Sequence, residues 1–87
     1  MNLNAIQKLL KDDHILVYAI IENNKASEAY VKTRYIQEDG FAWDTYVPFV
    51  DRRAGLDLQT ENEVADYVRS LKPYFKKDAM EQWRKMN

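Results

Sequence analysis

The dipeptide Asp39-Gly40 lies between two runs of β-prone, aromatic-rich residues. Asp-Gly in this position is one of the strongest short-range signals for a β-hairpin, because a type I′ turn requires positive φ at both central residues. A two-residue turn at Asp39-Gly40 predicts the cross-strand pairs Ile36–Trp43, Arg34–Thr45, Lys32–Val47 and Tyr30–Phe49. The hairpin therefore predicts an antiparallel sheet and decides which side chains share a face.

Three strands are predicted, at 15–22, 28–36 and 41–50. The first is apolar on both alternating sets of side chains, which is typical of a central strand covered on both faces. Asn23-Asn24-Lys25 has the chemistry of a turn, because asparagine tolerates left-handed backbone. Pro48 has no N–H for a sheet hydrogen bond, so the third strand should lie at an edge. These features predict a three-stranded antiparallel meander.

Three helices are predicted around the sheet. Asn2 can cap a helix over 2–11, and the capping-box sequence at 60–63 predicts the start of a helix over 61–71. Pro73 disfavours helix at Lys72 and suits the first turn of a new helix over 73–85. The helix over 73–85 has an apolar stripe that we expect to lie in the core, and this stripe contains Phe75, Ala79, Met80 and Trp83. The sequence thus predicts one α+β domain spanning 1–87, in the order α-β-β-β-α-α, with the helices on one face of the sheet.

The composition narrows the class of protein. Hydrophobic residues make up 46% and charged residues 31% of 87 residues, as in folded globular domains. The absence of cysteine excludes a disulfide framework and a thiolate metal site. The longest apolar run, 15–21, is too short to span a bilayer, and no signal peptide is recognisable at the N-terminus. We therefore expect a complete small cytoplasmic protein with no membrane association.

No pattern of residues predicts catalysis. Asp12-Asp13-His14 includes the only histidine, without the ligand spacing of a metal site. Ser27 and Ser70 have no recognisable base and orienting group, so a nucleophilic triad is not predicted. In the predicted sheet, Glu28 and Lys32 have no second acid beside them, as a metal-dependent nuclease would need. The sequence predicts a non-enzymatic protein with no metal and no cofactor.

The charge is unevenly distributed along the chain. Residues 38–66 have a net charge of −6, whereas residues 67–87 have a net charge of +4. The acids at 61–66 suit the start of a helix, where they meet the positive end of its dipole. The acidic residues around the hairpin do not have a comparable role in the fold. Carboxylates spaced in this way can imitate the phosphates of a nucleic acid. We expect an acidic rim that binds a basic protein partner through Glu38, Asp39, Asp44 and Asp51.

An alternative interpretation is direct binding of single-stranded nucleic acid. In the predicted register the residues Tyr30, Lys32, Arg34 and Trp43 share a sheet face with Phe49, and aromatic rings between cations suit stacked bases and phosphates. The same face could instead lie against the helices, with the long cationic side chains reaching solvent at its rim. A sequence pI near 5.8 favours the protein partner over nucleic acid.

Several short strings resemble small phage-encoded anti-CRISPR proteins that inhibit the type II CRISPR effector nuclease. They are Met1-Asn2-Leu3-Asn4 at the first helix, Glu38-Asp39-Gly40 at the hairpin and Thr60-Glu61-Asn62-Glu63 at the later helix. Length and the α-β-β-β-α-α order are also similar. The resemblance implies an acidic mimic of DNA that occupies the motif-recognition cleft of the nuclease. It further implies a phage protein acting in the host cell cytoplasm, whose partner is that nuclease or another nucleic-acid-binding protein.

Overall fold

The computed structural model describes residues 1–22 and 28–86, with side chains as far as Phe75. The elements are α1 (Leu3–Leu10), a short 3₁₀ helix (Lys11–Asp13), β1 (Ile15–Glu22), β2 (Glu28–Ile36), β3 (Ala42–Asp51), β4 (Leu56–Asp57) and α2 (Glu61–Met86). The predicted α+β class with an antiparallel sheet is confirmed. The turn predicted at 23–25 lies outside the described residues. No helix in the described part of the chain is long and apolar enough to cross a membrane.

The sheet has four strands in the order β1-β2-β3-β4, so the predicted three-stranded meander is one strand short. β4 is a two-residue strand that pairs with the end of β3. The expectation that 15–22 is a central strand is also wrong, because β1 lies at the sheet edge. Its edge is partly closed by Gln7, whose side-chain amide donates to the Ile15 carbonyl at 3.1 Å and accepts from the Val17 N–H at 2.6 Å. Such cover protects an edge strand from pairing with another chain.

The β2–β3 hairpin closes through a three-residue loop instead of the predicted two-residue turn. The Gly40 N–H donates to the Gln37 carbonyl at 3.0 Å, and the Gln37 N–H donates to the Phe41 carbonyl at 2.8 Å. Gly40 has a φ of +87°, while Asp39 keeps a negative φ. A turn followed by one left-handed glycine is the three-residue hairpin loop with a bulge. The Asp-Gly signal therefore marks the reversal correctly but not the loop length.

The extra loop residue shifts the register of the hairpin by one position. The predicted pairs Ile36–Trp43, Arg34–Thr45, Lys32–Val47 and Tyr30–Phe49 are therefore wrong. The structure pairs Tyr35 with Trp43, Arg34 with Asp44, Lys32 with Tyr46 and Tyr30 with Pro48. Because successive side chains of a strand alternate between the two faces, the shift separates Trp43 and Phe49 from Lys32 and Arg34.

The core lies between the helices and one face of the sheet. β2 buries alternate residues, and the same face of β1 and β3 contributes further apolar side chains. α1 and α2 cover this face with Ile6, Leu10, Val64, Ala65 and Val68. The buried hydroxyl of Thr33 donates to the Thr45 carbonyl at 3.3 Å, which satisfies the buried polar group in this layer. The other face of the sheet, which we call the open face, leaves the Tyr18 and Tyr46 side chains exposed.

α2 runs without interruption from Glu61 to Met86, so the two helices predicted over 61–71 and 73–85 are a single helix. Pro73 lies inside it and is exposed. The missing N–H costs one helical hydrogen bond, but the helix is anchored to the core on both sides of the proline, by Val68 and Phe75. The prediction that Phe75 is a core residue is confirmed. The side chains of Ala79, Met80 and Trp83 lie outside the described part.

The two helices are joined at their ends by polar contacts. Asn2 caps α1 through its side-chain oxygen, which accepts from the Ala5 N–H at 3.2 Å, and its own N–H donates to the Glu61 carboxylate at 2.9 Å. That backbone bond lowers the pKa of Glu61. In α2, the Thr60 hydroxyl accepts from the Glu63 N–H at 3.2 Å, as the capping box predicts.

Candidate functional site

The tip of the β2–β3 hairpin presents an exposed aromatic ring beside two carboxylates. We define the hairpin tip as Glu38, Asp39, Gly40 and Phe41. Asp39 Oδ1 accepts from the Phe41 N–H at 3.1 Å, which holds the loop in shape. The Phe41 side chain is 64% exposed, and its ring stacks on Trp43 at a centroid distance of 6.3 Å and an interplanar angle of 15°. The ring is thus held in place by the fold while most of its surface remains accessible.

The four carboxylates of the predicted acidic rim do not form one continuous surface. Glu38 and Asp39 lie together at the hairpin tip, and no ion pair involves either of them within residues 1–22 and 28–75. Asp51 lies at the opposite end of β3, and its Oδ1 accepts from the Arg53 and Ala54 N–H groups at 3.1 and 3.3 Å. That carboxylate stabilises the β3–β4 turn. The described geometry therefore separates Asp51 from the tip by the length of a strand.

Asp44 lies on the open face and is paired with a cation. Arg34 donates to it through Nε at 2.6 Å and through Nη2 at 2.9 Å, a bidentate pair between directly opposed residues of β2 and β3. The hydrogen bond from Arg34 lowers the pKa of Asp44, and the same bond raises the pKa of Arg34. Because its charge is compensated, Asp44 adds little to the negative potential of a rim.

The open face carries part of the predicted nucleic-acid site. Tyr30, Lys32 and Arg34 project from β2 on this face, whereas Trp43 lies on the helix-covered face opposite Tyr35. The Trp43 indole N–H is buried and has no hydrogen-bond partner among the described residues. The sequence prediction of a shared face for all four residues is therefore wrong, as a direct result of the register shift.

Two tyrosines that the sequence reasoning missed complete the open face. Tyr18 projects from β1, and its ring lies 5.2 Å from the Arg34 guanidinium carbon. Tyr46 projects from β3, and its ring centroid lies 5.9 Å from Lys32 Nζ. A three-residue loop pairs Arg34 with Asp44, and counting two residues forward from Asp44 then places Tyr46 beside Lys32. For Tyr18 no such local signal exists, since a bulge between Val17 and Ala19 sets its pairing.

A shallow cleft beside the hairpin holds the only histidine. It encloses about 300 Å³ and is lined by His14, Tyr35, Ile36, Gln37, Glu38 and Lys72. His14 has a φ of +59°, and its N–H donates to the Lys11 carbonyl at 3.3 Å, so its backbone ends the 3₁₀ helix. Lys72 Nζ lies 5.4 Å from the Tyr35 ring centroid. These contacts are structural, and no ion pair joins His14 to a carboxylate within residues 1–22 and 28–75.

Among the described side chains, in residues 1–22 and 28–75, no group of three histidine or acidic residues is arranged to hold a metal ion. Comparisons with protein-family models, with curated proteins and with solved structures identify no match. The two surfaces with binding chemistry in the described part are the hairpin tip and the open face. They differ in character, since the tip is acidic with one exposed aromatic ring, whereas the open face has aromatic rings beside two cations, Lys32 and Arg34.

Proposed function

We propose that this protein is a small non-enzymatic inhibitor whose hairpin tip binds a basic site of a nucleic-acid-handling protein. The observation that carries the proposal is the exposure of Phe41 next to two carboxylates, Glu38 and Asp39, that pair with no cation in the described part of the chain. Aromatic anchors held at a protruding position are typical hot spots of protein interfaces. The carboxylates add a charge pattern that a site built for phosphates would attract.

The fold supports this role by ordering the tip before binding. The ring of Phe41 stacks on Trp43, and the Asp39 side chain fixes the loop backbone. A surface that is already ordered loses less conformational entropy when it docks, which favours tight binding by a small contact. The proposed binding surface consists of Glu38, Asp39 and Phe41. It replaces the longer rim expected from the sequence, because Asp44 and Asp51 have partners elsewhere.

The resemblance to anti-CRISPR proteins supplies the partner class to test first, a guide-loaded type II CRISPR effector nuclease. Cleavage of a target plasmid by a panel of such nucleases should be inhibited by the wild-type protein. Glu38→Lys combined with Phe41→Ala should weaken inhibition and direct binding by at least about tenfold, since hot-spot truncations cost about 2 kcal/mol or more. Charge reversal at Glu38 should also slow association and weaken its dependence on salt.

Glu22→Lys is the matched control, because it makes the same charge change at the opposite end of β1, remote from the hairpin tip. It should leave inhibition unchanged. Circular dichroism should show the same folded spectrum for all variants. Nuclease activity that is unaffected across the panel would refute the partner class. Equal binding by the wild type and the double variant would refute the role of the tip.

A further inference from the structure

The open face forms a platform of aromatic rings around two cations, and it is distinct from the hairpin tip. Tyr18 is 43% and Tyr46 is 56% exposed, and they lie on β1 and β3, the strands that flank β2 on either side. Adjacent strands are about 4.8 Å apart, so the two rings are separated laterally by about 10 Å. Lys32 and Arg34 project from β2 between them.

Each cation of this platform is held against a ring. Arg34 lies over Tyr18 and Lys32 lies over Tyr46, within the distance at which cation–π attraction acts. Lys32 makes no ion pair with any residue in the described ranges. Asp44 takes only two of the five N–H donors of Arg34, so the guanidinium retains capacity for a second anion. The centre of the platform thus has a net positive charge in a chain whose overall net charge is −1.

We infer that this platform binds a short segment of single-stranded nucleic acid, with bases stacked on Tyr18 and Tyr46 and a phosphate held by Lys32 and Arg34. Every base has an aromatic face, so stacking on two exposed rings needs no particular sequence. The cations between the rings lie where the backbone linking two stacked bases would pass. Tyr30 is a poorer stacking site, because its hydroxyl donates to the Glu28 carboxylate at 2.9 Å and so brings negative charge to its edge.

A second copy of the chain fits this face less well. A two-fold contact centred on β2 would bring the two Lys32 ammonium groups towards each other, and like charges that meet in an interface oppose association. The phosphates of single-stranded nucleic acid would instead provide negatively charged partners for the Lys32 ammonium group. Duplex DNA cannot expose its base faces for stacking, which gives the inference a direct control.

Fluorescence anisotropy with labelled single strands of twelve thymidines and twelve uridines tests the inference, with a duplex of the same length as the control. The wild type should bind both single strands and bind the duplex more weakly. Tyr18→Ala and Tyr46→Ala should each weaken single-strand binding by about 5- to 150-fold, as expected for the loss of one stacked base. Tyr18→Phe should retain binding, because phenylalanine keeps the ring.

The charges give two further readouts. Contact with one or two phosphates predicts that log K falls with log salt at a slope of about −0.7 to −1.4, and Lys32→Gln should reduce the slope by about 0.7. Asp44→Asn should tighten single-strand binding, because it removes a negative charge and releases Arg34. If Asp44 instead belonged to an acidic rim, the same substitution would not strengthen binding of the basic partner of that rim. The direction of the change in affinity therefore distinguishes the two surfaces.

Tyr74→Ala is the control for non-specific loss of a tyrosine, because Tyr74 is 56% exposed on α2, away from the sheet. It should leave single-strand binding unchanged, and so should Phe41→Ala at the hairpin tip. Three outcomes would overturn the inference. They are no single-strand binding at low salt, equal binding by the tyrosine variants that keep their folded spectrum, or a dimer by light scattering that Tyr18→Ala and Tyr46→Ala dissociate.

Discussion

Arg69 ties α2 to the N-terminal part of the chain, and replacing it with methionine should lower the free energy of unfolding by about 2–3 kcal/mol. Its Nε donates to Asp13 at 2.9 Å, its Nη1 donates to Asp66 at 2.7 Å and its Nη2 donates to the Leu9 carbonyl. The bond to Asp13 is the main cause of the raised pKa of Arg69. One side chain therefore connects α2 with the last turn of α1 and the 3₁₀ helix.

The magnitude follows from the exposure of these contacts. Hydrogen bonds to charged groups contribute about 1.5–3 kcal/mol, whereas exposed ion pairs contribute about 0.2–1 kcal/mol. The Arg69 side chain is 36% exposed, so we assign about 1 kcal/mol to each of the contacts with Asp13 and Leu9. The pair with Asp66, three residues earlier on α2, adds about 0.3–0.5 kcal/mol. Methionine keeps most of the apolar stem, so packing changes little.

Urea unfolding followed by circular dichroism measures this loss directly. For a domain of this size the thermal midpoint should fall by about 10–20 °C. Arg69→Lys should recover only part of the stability, because an ammonium group cannot serve three acceptors with the geometry of a guanidinium. A double-mutant cycle with Asp13→Asn should give a coupling energy near 1 kcal/mol. A loss below about 0.5 kcal/mol for Arg69→Met would refute the reasoning, since the contacts would then contribute no more than a solvated side chain.

Phe75→Ala should lower the free energy of unfolding by about 3–5 kcal/mol in the same assay. The Phe75 ring is buried and packs edge-on against Tyr35, with 6.1 Å between the ring centroids. A loss under about 1 kcal/mol would show that the ring is not in the core. Gly40→Ala should cost about 1 kcal/mol from backbone strain alone, since the added Cβ meets no atom within 4 Å, and Gly40→Asn should cost less. Equal losses for the two would contradict a left-handed Gly40. The lowered pKa of Asp44 means that the folded state takes up a proton less readily than the unfolded state. The ion pair between Asp44 and Arg34 therefore stabilises the fold above about pH 4, and this stabilisation is lost as the pH falls through the folded pKa of Asp44. Asp44→Asn should make the free energy of unfolding less dependent on pH in the acid range. Urea unfolding at several pH values measures this dependence.

The parts of the fold that were predicted correctly depend on short-range chemistry. The first two strands lie at the expected residues, and Asn2 and Thr60 cap the helices that follow them. Chain reversal at Asp39-Gly40 was also predicted. At the two caps and at the reversal, a side chain binds a backbone N–H two or three residues further along the chain, so the relevant contact is already present in the local sequence. The spacing of apolar residues also predicted the α+β class, because these residues alternate in the strands and recur at helical spacing in the helices.

The candidate surfaces could not be predicted in the same way. One additional loop residue moved Trp43 from the open face to the helix-covered face and brought Tyr46 beside Lys32. The continuity of α2 through Pro73 depends on packing on both sides of the proline. The compensation of Asp44 by Arg34 and the placement of Tyr18 depend on which strands are neighbours.

The helix caps, the position of the chain reversal and the excess of acid around the hairpin follow from the amino-acid sequence alone. Strand pairing and helix packing are needed to establish which carboxylates bind described cations, which rings face solvent and which cations lie beside those rings. The physical reason is that side-chain alternation has a period of two, so a single-residue difference in register exchanges the two faces of a strand. Local propensities scarcely distinguish the two loop lengths, whereas burial of a continuous apolar face under α1 and α2 selects one of them.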